Sequence, residues 1–275
     1  MKRILRVFAR KTNLTPEDEL AFYDMPPLPL FIPEHDEIHV VVTFTWDIER
    51  GKFLRDCWAN VTDKPVKIGG AAFDDPCTGD FVAGLYLKHG VTVTSRGCVN
   101  ACPFCLVPKR EGKLREIENF VAGNIIQDNN FLACSKEHRR RVYDMLKTQR
   151  QVSFRGGLES EFLTDWDVEE MRNLKLFDLW LACDSKARIK PFLKACEKLV
   201  KAGFSQNKIR CYVLIGDDMS ENEERLQTVF RAGALPFAQL YQPREWKEYP
   251  REWRQYQRQW TRPAAMKAHM KKVGA

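Results

Sequence analysis

Ile209-Arg210-Cys211-Tyr212-Val213-Leu214-Ile215-Gly216, then Ser220-Glu221-Asn222-Glu223, then Leu235-Pro236-Phe237-Ala238-Gln239-Leu240-Tyr241, is the stretch whose reading decides the fold. The first and last runs are rich in β-branched, aromatic and other apolar residues and read as strands. Ser220 with Glu223 three residues on has the form of a capping box, and Gly233 suits a helix end. A helix between two strands is the connection that parallel strands require.

The same cycle recurs upstream. Leu179-Trp180-Leu181-Ala182 precedes Lys190-Pro191, a proline suited to a first helical position, and Phe192, Leu193, Cys196, Leu199 and Val200 then repeat at helical spacing up to Gly203. Gln151-Val152-Ser153-Phe154 precedes Thr164-Asp165-Trp166-Asp167, a capping-box-like start with Asp in the usual Glu place. Asn124-Ile125-Ile126-Gln127 precedes a helix capped by Ser135, with Tyr143, Met145 and Leu146 turned inward and Arg139, Arg140 and Arg141 outward. Val91-Thr92-Val93-Thr94-Ser95 is the first strand of the series. Six strand–helix units in about 150 residues predict an α/β fold, a partial (β/α)6 TIM-like barrel over 91–241, because eight units would be needed to close it. Functional groups are then expected at the carboxyl ends of the strands.

Outside that region, 1–38 reads as an arm, since Pro16, Pro26, Pro27, Pro29 and Pro33 oppose regular pairing across much of it. Residues 39–90 read as a short α/β extension: a strand at His39–Trp46, a helix near Arg50–Ala59, and a strand from Pro65 to Gly70. Residues 242–275 read as a basic, aromatic helical tail. The whole chain has 275 residues, 44% hydrophobic and 29% charged, a globular composition that excludes wholesale disorder. No apolar run approaches the ~20 residues that span a bilayer, and the basic start lacks the apolar stretch of a secretory signal, so a cytoplasmic protein with no membrane partner is expected. Nine cysteines without an export signal point to metal binding, redox chemistry or burial rather than disulfides.

Three of those cysteines lie together in Ser95-Arg96-Gly97-Cys98-Val99-Asn100-Ala101-Cys102-Pro103-Phe104-Cys105-Leu106-Val107-Pro108, directly after the first strand. Gly97, Pro103 and Pro108 favour the turns that let three thiolates converge. Three ligands suit a 4Fe–4S cube with one iron left open. Two other readings remain: Cys102-Pro103-Phe104-Cys105 as a dithiol oxidoreductase pair, and a zinc site completed by Cys134, His138 or His89. In the zinc case the chain would be a non-catalytic recognition module.

Cys98-x-x-x-Cys102-x-x-Cys105, with the aromatic Phe104 before the last cysteine, resembles the signature of the radical S-adenosylmethionine (SAM) superfamily. The wider Ser95-Arg96-Gly97-Cys98 and Cys102-Pro103-Phe104-Cys105 context is similar to the methylthiotransferase and cobalamin-associated branches. The resemblance covers roughly 91–241. It implies that Cys98, Cys102 and Cys105 hold three irons of a 4Fe–4S cluster and that SAM chelates the fourth. An electron from a donor such as flavodoxin or ferredoxin would then cleave SAM, and the 5′-deoxyadenosyl radical would take a hydrogen atom from the substrate. It further implies cofactor contacts from the backbone of Phe104, from Gln127, Asp128 and Asn129 after the second strand, and from Asp184, Ser185, Ile215 and Gly216 after the fourth and fifth. Arg155, Gly156, Gly157 and Glu159 end the third strand; the glycines would let backbone approach a ligand, and Glu159 would accept ribose hydroxyls. Cys183 is a candidate hydrogen donor to a radical, whereas Cys134, Cys196 and Cys211 read as core packing. The region before Cys98 holds only Cys57 and Cys77, short of a second set of three, and no Asp-x-His-x-x-Gly segment is present.

Net charge is +7, and residues 242–275 hold nine basic and three acidic residues. Within Arg251–Thr261, helical spacing puts Trp253, Tyr256 and Trp260 on one face and Arg251, Arg254 and Arg258 on another. The aromatic face is expected to seal the barrel. The arginines suit a phosphate-bearing partner, so a nucleotide, RNA or DNA substrate is the first expectation.

Overall fold

The computed structural model describes residues 2–74 and 84–274, so Cys77 and part of the predicted extension lie outside the described residues. The chain divides into two units. The first comprises 1–91, 100–113 and 244–246, and the second 92–99, 114–243 and 247–275.

In the first unit, β1 (Ile4–Phe8), β2 (Ala21–Phe22), β3 (Glu37–Val41) and β4 (Val66–Gly69) form a sheet in the order β2-β1-β3-β4, parallel throughout. The expected arm is therefore corrected. The prolines fall between β1 and β3, where they disturb no ladder, and Leu5 and Val7 of β1 are fully buried. Helix α1 (Ile48–Ala59) packs with these strands, sinking Leu54 and Trp58 against Leu5, Val7, Ile38 and Val40. The Trp58 indole donates to the Asp24 carbonyl at 3.0 Å, which ties down the chain beyond β2. A short helix, α2 (Val107–Arg110), follows the cysteine loop.

The second unit is a six-stranded sheet edged by β5 (Val91–Thr92). A two-stranded ribbon of β6 (Ser95–Arg96) and β7 (Arg115–Glu116) precedes β8 (Ile125–Ile126), β9 (Val152–Leu158), β10 (Leu176–Ala182), β11 (Ile209–Ile215) and β12 (Leu235–Leu240). The sheet order is β12-β11-β10-β9-β8-β5, with parallel pairing from β8 to β12. Between these strands run α3 (Lys136–Lys147), α4 (Asp165–Arg172), α5 (Lys186–Lys201) and α6 (Met219–Arg231), and α7 (Arg251–Thr261) and α8 (Pro263–Lys272) close the chain. The strand order never reverses, so each helix returns the chain by one strand in the same sense. The fold is α/β with parallel sheets, as the strand–helix count predicts.

Local chemistry explains most boundaries. Ser135 accepts from the His138 amide, and Thr164 with Asp167 forms the full capping box. Asp167 also binds Arg139 at 2.7 and 2.6 Å and accepts from the Tyr143 hydroxyl at 3.1 Å. Arg139 is thus buried, not exposed as its place in an arginine run suggests; Arg140 and Arg141 do face solvent. Two starts shift. α6 is capped by Asp218, whose carboxylate accepts from the Glu221 amide, so Ser220 lies inside the helix. α5 begins at Lys186, leaving Pro191 in its interior. The strand predicted at 91–95 is two short pieces, and the third runs on through Arg155-Gly156-Gly157 to Leu158.

Candidate functional site at the carboxyl ends of the second sheet

In a parallel sheet all the carboxyl ends lie along one edge. Here that edge gathers Thr94-Ser95 beyond β5, Gln127–Asn130 beyond β8, Glu159 beyond β9, Asp184-Ser185 beyond β10 and Gly216 beyond β11. Its centre is Asp128, almost fully buried. One carboxylate oxygen accepts from the Thr94 amide at 2.6 Å, and the other from the Thr94 hydroxyl at 2.5 Å and the Ser95 hydroxyl at 2.8 Å. Burial raises its pKa even against these bonds. Arg141 donates to His138 Nδ1 at 3.1 Å, so Nε2 carries the ring hydrogen and donates to the Thr94 hydroxyl at 3.2 Å. Each hydroxyl in this chain spends its one hydrogen in the next bond. The network clamps the segment entering the cysteine loop to the segment leaving β8.

Asn130 extends the clamp to the loop itself. Its side-chain amide donates to Cys98 Sγ at 3.5 Å, while its Oδ1 is buried and has no hydrogen-bond partner. Cys98 belongs to the second unit; Cys102 and Cys105 belong to the first, where the Cys105 amide donates to the Cys102 carbonyl at 3.0 Å and closes a tight turn. All three cysteines are half-buried, as is Phe104, and Gly97 adopts φ 79°, a left-handed turn that glycine permits.

The remaining predicted residues fall as follows. At Gly156 a Cβ would sit 1.6 Å from the Asp128 carbonyl oxygen, so the two backbones touch. Arg155 donates to Ser153 Oγ at 3.0 Å and lies 3.8 Å from Asp178, and its carbonyl accepts from the Tyr212 hydroxyl at 3.1 Å. Glu159 pairs with Arg188 at 3.5 Å. Asp184 accepts from the Leu214 amide at 2.9 Å, and Arg225 donates to the Asp184 and Leu214 carbonyls, so the ends of β10 and β11 are bound together. Ser185 precedes α5 without a side-chain capping bond. Gly216, next to Ile215, faces the Tyr249 hydroxyl, 2.4 Å from where a Cβ would stand. Gln127 continues β8 by donating its amide to Thr92, and Asn129 is half-buried beside it. Cys183 is fully buried and its pKa is pushed up to about 12 by that burial, which makes it an inert thiol in acid–base terms.

Two features escaped the sequence reading. One is the sheet face opposite the helix-covered core, where Trp180 and Tyr212 rings lie 4.6 Å apart with Phe237 5.3 Å from Trp180, beside Ser153 and Asp178. Each ring stands between core residues of its own strand, Leu179 and Leu181, Cys211 and Val213, or Pro236 and Ala238, and that alternation was the available signal. The other is the set Asp128, Cys134 and His138, whose potential ligand atoms lie within 4.8 Å of one another. Thr94, Ser95 and Arg141 bond the carboxylate and the imidazole Nδ1, and burial lifts the Cys134 pKa to about 12, so a metal held here would have to displace those bonds and the thiol proton.

Burial raises the Asp184 pKa from its ordinary 3.8 to about 6, with the Leu214 amide and Arg225 opposing. Between those values the folded protein holds a proton that the unfolded chain releases, so stability falls as pH rises from about 4 to about 6. At ~1.4 kcal/mol per pKa unit this is on the order of 3 kcal/mol. Denaturant titrations of wild type and Asp184→Asn across that range should diverge by this amount, with the variant the flatter. Parallel profiles would show that the carboxylate is not buried as described.

No protein-family model matches this chain, and no curated protein matches its sequence. No helix among the described residues is long and apolar enough to cross a membrane.

Proposed function

We propose that the chain is a compact radical SAM enzyme built on a partial six-stranded barrel. The observation that carries this reading is the position of Cys98-x-x-x-Cys102-x-x-Cys105 in the segment that follows β5 and β6, ahead of a run of parallel strands whose order never reverses. What supports a 4Fe–4S cluster is the sequence spacing of three thiols together with the surroundings of Cys98, where the Asn130 amide N–H is directed at the sulfur and the buried Asn130 Oδ1 is open to a donor. Cys98, Cys102 and Cys105 would hold the cluster. Bound there and reduced by an external electron donor, the cluster would supply the electron for reductive cleavage of SAM and so for hydrogen abstraction from a substrate.

The chain's own residues do the rest. Asp128, through Thr94 and Ser95, holds the loop entrance rigid. Gly156 lets β9 approach the Asp128 backbone, and Glu159 and Asp184 offer carboxylates at strand ends for ribose hydroxyls. Trp180, Tyr212 and Phe237 present a water-excluding surface on the sheet face away from the helices.

Anaerobically purified, reconstituted protein is expected to carry about four irons per chain with the absorbance of a 4Fe–4S centre. Reduction with SAM present should release 5′-deoxyadenosine, and Cys98→Ala should abolish both signals. Full iron loading without 5′-deoxyadenosine would leave a cluster-bearing protein that is not this enzyme. The proximity of Asp128, Cys134 and His138 favours a second reading, a zinc-bearing recognition module. One zinc and no iron per chain, lost in His138→Ala but kept in Cys98→Ala, would establish it instead.

A further inference from the structure

The carboxyl-terminal helices α7 and α8 form a hairpin with two chemically opposite sides. Trp253, Tyr256 and Trp260 all pack toward the core of the second unit. Arg251, Arg254 and Arg258 are exposed, as their spacing predicts. A cleft of about 270 Å³ opens between α7 and α8, and Gln255, Arg258, Gln259, Arg262, His269 and Lys272 line it. His269 is held from below by Glu223 at 2.6 Å, which fixes one wall.

The charge in this cleft is unbalanced. Residues 251–274 carry seven Lys and Arg and a single acid, Glu252. Arg254 lies 3.7 Å from Glu248, but Arg258, Arg262 and Lys272 have no ion-pair partner among the described residues. Arg254 and Arg258 stand four apart on α7, and Arg262 follows in extended backbone at its end, so like charges crowd this end of the hairpin. That group repels itself in the free protein, whereas a helix face selected only for solubility mixes signs. Bound polyanion relieves the repulsion. Guanidinium forks and the Gln255 and Gln259 amides are all donors suited to phosphate oxygens.

The buried aromatics choose between phosphate-bearing partners. With Trp260 buried and Trp253 and Tyr256 half-buried against the core, the outer side of the hairpin offers little apolar anchor to a bilayer, and His269 is the one ring among the residues that line the cleft. We infer that the α7–α8 cleft is a binding site for the phosphodiester backbone of nucleic acid, gripping it without regard to sequence. The inference goes beyond the cluster reading and does not depend on it, since binding is measured without iron, SAM or reductant.

The test uses the full chain and a fluorescein-labelled single-stranded RNA of about 20 nucleotides in scrambled sequences, read by anisotropy over a potassium chloride series. Three phosphate contacts predict a log–log salt slope near −2, at about 0.7 per contact. The triple variant Arg258→Glu, Arg262→Glu, Lys272→Glu is expected to bind at least about tenfold more weakly at ~100 mM salt, with a slope shallower by about 2. An equal charge reversal on another surface, Lys190→Glu, Lys194→Glu and Lys208→Glu, should change affinity less than about threefold. Equal loss in both variants, or unchanged binding in the first, overturns the inference. So does capture of wild type, but not the first variant, by phosphatidylserine vesicles with no RNA binding, which would assign the cleft to lipid.

Discussion

Gly156→Ala is expected to destabilise the second unit by more than about 4 kcal/mol, enough to remove most soluble folded protein. The added methyl carbon would stand 1.6 Å from the Asp128 carbonyl oxygen, 2.7 Å from its carbon and 2.9 Å from its nitrogen. All three are backbone atoms, so no rotamer change relieves the clash, and only separating β9 from the chain leaving β8 would do so. That separation would also pull Asp128 away from Thr94 and Ser95 and so loosen the entrance to the cysteine loop. Gly157→Ala is the control. Its nearest neighbour is the Tyr212 ring at 3.9 Å, so only its φ of +92° is strained, at a cost of about 1–2 kcal/mol. Thermal melts and soluble yield of the two variants should therefore differ sharply. A Gly156→Ala protein that melts within a few degrees of wild type would mean that β8 and β9 do not approach as described.

This contact also marks where sequence reasoning stops. Gly156-Gly157 stands out in the chain, but nothing local says that one glycine answers a carbonyl twenty-eight residues away. The elements that could be read were those whose signals are local. The caps at Ser135 and Thr164, the helical spacing of α5, the α7 boundaries and the β-rich runs of β11 and β12 all depend on residues within one or two turns. The elements misread depend on partners elsewhere. β1 looks charged and short beside a proline-rich stretch, and it becomes a central strand only because β2 and β3 flank it. Arg139 looks like one of three equivalent surface arginines until Asp167 is placed beneath it. Pro191 looked like a helix start because proline is tolerated there, yet α5 had already begun five residues earlier.

The candidate site divides along the same line. The cysteine spacing is a local pattern and was visible at once. The Thr94–Asp128–His138–Arg141 chain that buttresses it joins segments that only a parallel sheet brings to one edge. Asn130 had no distinguishing feature in sequence beyond following Asp128, and its bond to Cys98 is wholly tertiary.

Trp260→Ala should cost about 3–5 kcal/mol in urea unfolding, the second large effect. The indole is fully buried, so truncation leaves a cavity that α7, braced between β12 and α8, cannot readily fill. The change also strips a donor from Glu223, which accepts from Trp260 Nε1 at 2.9 Å, the Tyr256 hydroxyl at 3.0 Å, His269 at 2.6 Å and Gln227 at 2.8 Å. Burial alone would raise the Glu223 pKa, but those hydrogen bonds outweigh it and the value is lowered. A depressed carboxylate stabilises the fold above its unfolded pKa, and that contribution is lost as pH falls through the folded value. Because one carboxylate ties α6 to both terminal helices, wild-type protein should release its tail in acid before the sheet unfolds. Limited proteolysis between 244 and 254 reports that release. Trp260→Phe keeps most of the apolar volume and loses the bond to a charged acceptor, so about 1.5–3 kcal/mol is expected for it. If Trp260→Ala costs under about 1 kcal/mol and leaves the acid sensitivity of the tail unchanged, α7 is not seated on the sheet, and the outward orientation of Arg254, Arg258 and Arg262 loses its structural basis.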